Sequence, residues 1–76
     1  MKFKKLPSFK YYNVWVSNEI KGYKSYIFKL PYYYHNIYHF TIIYSGKIIY
    51  NSLSNDIYYF SRKDCQDFIE QWIKNN

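Results

Sequence analysis

The spacing of hydrophobic and polar positions changes once along the chain. Through residue 60 apolar side chains tend to alternate with polar ones, and from residue 61 onward they recur at three- and four-residue intervals. In FSRKDCQDFIEQWIKNN, Cys65, Phe68, Ile69, Trp72 and Ile73 stand at i, i+3, i+4, i+7 and i+8, and Arg62, Lys63, Gln66, Asp67, Glu70 and Gln71 stand elsewhere. This predicts an amphipathic helix over about 62–74 with those five residues as its buried stripe. Ser61 is placed to cap it, Asp64 three positions on makes a shortened capping box, and Glu70 with Lys74 forms an i,i+4 pair.

The alternating part predicts strands at about 10–17, 23–30, 37–44 and 47–53, with a short extra segment at 57–60. Val14 and Val16 alternate with Trp15, and Tyr26, Phe28 and Leu30 alternate with Ile27 beyond a turn at Gly22. Ser45 and Gly46 separate two β-branched and aromatic runs and read as a two-residue hairpin loop. That loop would set Phe40 opposite Asn51, Ile42 opposite Ile49 and Tyr38 opposite Leu53. The expected fold is a single α+β domain over 1–76: an antiparallel sheet of four strands (three to five) from two hairpins, with one C-terminal helix on one face. A chain of this size supplies a core worth only a few kcal/mol, so partner binding often helps.

One helix covers one face of such a sheet and leaves the other for water, a second subunit or a ligand. In the register above, Tyr38, Phe40 and Ile42 meet the helix, and Trp15, Ile27, Ile43, Ile48 and Tyr50 lie on the uncovered face. A register slip of one residue exchanges the two faces. In PYYYHNIYHF, Pro31 is expected to end the second strand, leaving Tyr32, Tyr33, Tyr34, His35 and Asn36 as an exposed connection.

Charge and composition narrow the function classes. The formal net charge is +6 and aromatic residues make up 26% of the chain, a mixture that suits phosphate contacts and base stacking. Lys, Asn, Ile, Tyr and Phe fill more than half of the chain, and all five have codons rich in A and T, so nucleotide bias accounts for much of the signal. Position says more: residues 1 to 55 carry eight lysines against one acid, Glu19. A single cysteine allows no internal disulfide and fits a reducing compartment. Neither a signal peptide nor a run of apolar residues long enough to span a membrane is seen, so the expected location is cytoplasmic.

The candidates for chemistry are weak. His35 and His39 have a metal spacing on a helix, but on a strand they stand about 13 Å apart. Cys65, His39 and Asp56 can be grouped as nucleophile, base and orienter, yet Cys65 belongs to the helix stripe and reads as a buried structural thiol. With no glycine-rich phosphate loop, no spaced carboxylate pair and no G-x-S-x-G, the expectation is a non-enzyme with no cofactor and no metal. The partner-binding candidates are Trp15, Lys24, Lys29, Tyr32, Tyr33, Tyr34 and Tyr50, since tyrosine and tryptophan bury large areas with few rotors and lysine steers encounter.

An N-terminal MKFKK, short strands, and YFSRKDCQDFIEQW after them give a layout that resembles small anti-CRISPR proteins of phages and mobile elements. The resemblance implies stoichiometric inhibition in the host cytoplasm by occupying a surface of a host protein or ribonucleoprotein complex. Direct single-stranded nucleic-acid binding is the alternative expectation, and a homodimer through the uncovered face is a third.

Overall fold

The computed structural model describes residues 1–7, 13–32 and 35–76, with 31, 32 and 35 as backbone alone. Five strands run in order of sequence across one sheet: β1 (Phe3–Lys5), β2 (Asn13–Ser17), β3 (Tyr23–Tyr32), β4 (His35–Tyr44) and β5 (Lys47–Asn51), each antiparallel to its neighbour. A 3-10 turn at Leu53–Asn55 follows, then the helix α1 (Arg62–Asn75). The fold is α+β, an open five-stranded antiparallel sheet with one helix.

Local chemistry explains the turns. Lys21 and Gly22 have φ of 54° and 84°, and Ser45 and Gly46 have φ of 51° and 76°. Two consecutive left-handed residues match the right-handed twist of flanking strands, which is why glycine occupies the second position of each. Gly22 has an added constraint, because a Cβ there would come within 2.7 Å of Tyr44 Cε2.

The strand limits differ from those expected at five places: β1 is added, β3 runs to Tyr32, β4 begins at His35, β5 ends at Asn51, and 57–60 forms no strand. The sequence marks β1 only as a basic N-terminus, yet Phe3 lies opposite Ser17 and Lys5 opposite Trp15. Residues 10–12 of the expected first strand lie outside the described residues. Pro31 does not end its strand: β3 continues to Tyr32, and the ladder includes Pro31 opposite Asn36 and Tyr32 opposite His35. Proline is tolerated in a sheet where its missing N–H is not required, as near a strand end. The segment at 57–60 contributes a single bridge instead of a strand, with Tyr38 N–H donating to Tyr59 O at 2.8 Å and Tyr59 N–H to Tyr38 O at 3.1 Å.

A register shift in the last hairpin is the largest correction. Tyr44 faces Lys47 and Ile43 faces Ile48, as the two-residue loop requires, but Ile42 then faces Tyr50 and Thr41 faces Asn51. Ile49 is the extra residue of a β-bulge. Phe40 is therefore not opposite Asn51, nor Ile42 opposite Ile49. Tyr50 moves to the face that carries Phe40 and Ile42.

The helix covers the face formed by Phe3, Trp15, Ile27, Phe40, Ile42 and Tyr50, and the buried cluster joins Ile27, Phe40 and Ile42 to Cys65, Ile69 and Ile73. Phe68 and Trp72 are half-buried beside it, so all five stripe residues face the sheet. Phe40 lies 5.0 Å from Phe68 and 5.9 Å from Tyr50, centroid to centroid. Each fully buried side chain of this kind contributes roughly 1.5–3 kcal/mol by leaving water. Trp15 and Ile27 are thus corrected to the covered face, while Ile43 and Ile48 lie on the open one.

The helix start matches its sequence signal, with Asp64 N–H donating to Ser61 Oγ at 3.2 Å. Farther along, the ion pairs are Lys63 with Asp67 at 3.1 Å and the Met1 amino group with Glu70 at 3.3 Å. Glu70 also accepts from Gln66 Nε2, whose amide donates to Met1 O as well. The expected Glu70–Lys74 pair gives way to this tie between α1 and the strand side of the molecule.

Candidate functional site

Strand pairing builds the open face row by row. Val14, Phe28 and His39 lie side by side across β2, β3 and β4, and Val16, Tyr26, Thr41 and Asn51 form the next row. Lys24, Ile43 and Ile48 make a third, and Leu30 faces Ile37 toward the far end. Tyr26 and Phe28 stack along β3 at 6.4 Å with an interplanar angle of 24°.

The chain leaving β5 raises a wall on this face. Phe28, Leu30, His39, Thr41, Asn51 and Leu53 border a groove of about 300 Å³. Tyr58 lies 6.2 Å from the His39 ring and 5.7 Å from Phe60, which it meets edge-on. Tyr59 turns the other way, toward Phe40 and Phe68. These residues are open to solvent: Leu53 is 58% exposed, Tyr58 50% and Phe60 63%. Large apolar side chains gathered at one groove mark an interaction site more often than the same residues scattered singly.

Ser52 fixes the groove floor. Its fully buried hydroxyl accepts the Phe40 N–H at 2.9 Å and lies 3.4 Å from His39 Nδ1. Ser52 N–H donates to Phe40 O at 3.0 Å, so one residue clamps the point where β5 departs from β4. A serine beside a histidine invites a nucleophilic reading, but this hydroxyl is sealed from solvent and committed to the backbone.

Cys65 and His39 lie on opposite sides of the sheet, since Cys65 belongs to the covered core and His39 to the groove. Burial, with a smaller contribution from Asp64, pushes the Cys65 thiol up to about 12, and its Sγ donates to Tyr38 O at 3.7 Å. A thiol held protonated in this way is a packing group. Asp56 stands exposed beyond the 3-10 turn, so the three residues do not form a nucleophilic set. His35 and His39 lie four residues apart on β4, and among the described residues no three His, Cys, Asp or Glu side chains gather closely enough to hold a metal ion.

The expected binding residues are spread over the molecule. Trp15 and Tyr50 lie on the covered face, Tyr50 because of the bulge. Lys24 lies on the open face, and Lys29 lies on the covered side between Asn13 and Tyr38. Tyr32 is described as β3 backbone, and Tyr33 and Tyr34 lie outside the described residues. The residues that make the groove wall, Leu53, Tyr58 and Phe60, were missed. The signal for Tyr58 and Phe60 was the continuous apolar run from Ile57 to Phe60 immediately before the helix cap, and Leu53 had none.

No protein-family model, curated protein or solved structure matches the chain. Among the described residues no helix is long and apolar enough to cross a membrane.

Proposed function

We propose that the chain is a non-catalytic binding protein that docks a protein partner on its open sheet face. The observation that carries this is the groove bordered by Phe28, Leu30, His39 and exposed Leu53, with exposed Tyr58 against the His39 ring and exposed Phe60 edge-on to Tyr58. Leucine and isoleucine neither stack on bases nor hold phosphates, but they fill pockets between proteins well, and aromatic anchors at such a centre carry much of the binding energy. Lys24 on this face and the basic first strands would speed encounter with an acidic partner. The layout that resembles anti-CRISPR proteins supports one particular partner, a protein component of a host defence complex, and a stoichiometric inhibitory role.

Site-specific photo-crosslinking from position 53 or 60 in the cells that make the protein tests this. The expected result is one recurrent protein adduct that is lost in a Leu53→Asp/Phe60→Ser variant and unaffected by nuclease. Adducts that survive the double substitution, or vanish with nuclease, would refute the proposal.

A further inference from the structure

On the covered side, beyond the start of α1, the sheet brings three cations together. Lys5 lies opposite Trp15 across β1 and β2, and Lys29 lies between Asn13 and Tyr38 across β2, β3 and β4, so both occupy the same face. Spacings of strands and residues put their Cα atoms roughly 12 Å apart. The Arg62 guanidinium lies over the Trp15 ring, 4.9 Å from its centroid, and the indole packs against Tyr38 at 6.2 Å.

None of these three cations has an acidic partner. All five acids of the chain are described, and the two that form ion pairs engage Lys63 and the Met1 amino group. Arg62 is held by a ring face, which fixes the fork and leaves its N–H edges available to an anion. It also occupies the first position of α1, where the helix dipole disfavours positive charge.

We propose that Lys5, Lys29 and Arg62 form a second binding surface that holds the phosphate backbone of a single nucleic-acid strand without reading its bases. One ring face of Trp15 is covered by Arg62 and the ring packs on Tyr38, so this surface offers charge and fork geometry in place of free stacking platforms. It stands on the opposite side of the sheet from the groove, and it holds whether or not a protein docks there.

Fluorescence anisotropy with labelled oligo(dT) and oligo(dA) tests it. Three phosphate contacts predict a slope of about −2 in log affinity against log salt, equal for the two oligonucleotides because no base is read. A Lys5→Gln/Lys29→Gln/Arg62→Gln variant should lose about tenfold or more at low salt. Lys5→Gln/Lys29→Gln alone, which leaves the Arg62–Trp15 contact in place, should lose part of that, with circular dichroism melts checking that both variants fold. A Lys21→Gln/Lys47→Gln/Lys74→Gln control removes the same charge elsewhere and should retain binding, as should Leu53→Asp/Phe60→Ser. No binding at low salt would overturn the assignment, as would an equal loss in the control. Binding to polyglutamate but to neither oligonucleotide would overturn it in favour of an acidic protein surface.

Discussion

Phe40 and Phe28 sit on neighbouring strands of the same sheet and have opposite surroundings. Phe40 is fully buried, with Tyr50, Tyr59 and Phe68 around it, whereas Phe28 remains partly open on the groove floor. β3 sets Tyr26, Phe28 and Leu30 toward the open side and Tyr23, Ser25, Ile27 and Lys29 toward the covered one, so hydrophobicity along this strand does not select the side that the helix covers. The selection comes from the far strands, where Phe40, Ile42 and, through the bulge, Tyr50 converge on one side. Among the described residues no helix lies on the open side, and although Val14 and Thr41 are buried there, Ile48 and Leu53 stay exposed.

The largest expected contrast is between those two phenylalanines. Phe40→Ala should cost about 3–5 kcal/mol, because it leaves a cavity between sheet and helix, while Phe28→Ala should cost about 1–2 kcal/mol. Urea unfolding of both variants measures the difference, and equal losses would break the distinction between the faces. Next comes the pair either side of the bulge: Tyr50→Ala should lose about 2–3 kcal/mol and Ile48→Ala less than about 0.5 kcal/mol by the same measurement. Similar values would mean that the register shift does not place Tyr50 in the core.

Ser52→Ala removes the acceptor of the buried Phe40 N–H and should cost about 1–3 kcal/mol. Its NMR signature is faster amide exchange at Phe40, and unchanged protection there would show that the clamp is dispensable. The smallest effect concerns pH. The Cys65 thiol rises from an ordinary 9.0 to about 12 in the folded chain, so the unfolded chain releases this proton first. Its stabilising contribution is complete below about pH 9 and is lost as pH rises toward about 12. Tyr59, raised first by burial and then by Cys65, Tyr50 and Asp64, acts in the same direction. At pH 8 a thiol reagent should modify Cys65 only on the timescale of unfolding, and immediate labelling of the native protein would contradict its burial.

Much of this architecture was legible residue by residue. The helix stripe of Cys65, Phe68, Ile69, Trp72 and Ile73 carries a period that no strand shares, and Ser61 marks its start. Gly22 and Gly46 announce their turns for the same local reason. The faces were not legible, because Trp15 competes with Val14 and Val16, and Ile27 with Tyr26 and Phe28, on equal hydrophobic terms. Nor was the bulge, since an extra residue in IIYN leaves no compositional trace and depends on pairing with β4. The basic cluster escaped for a related reason: Lys5, Lys29 and Arg62 are distant in sequence and meet only through three strand pairings and a helix start.

The strand order also bears on how the molecule is made. Every strand pairs with the one before it, so the sheet can assemble from short-range closures while the chain is still being synthesised. The helix follows all five strands, and until it emerges from the ribosome the sheet presents two apolar faces to solvent instead of one. Arrested or truncated chains ending before Arg62 should therefore be sticky on both sides. Completion of α1 turns an aggregation-prone nascent sheet into one with a single face lacking a helix.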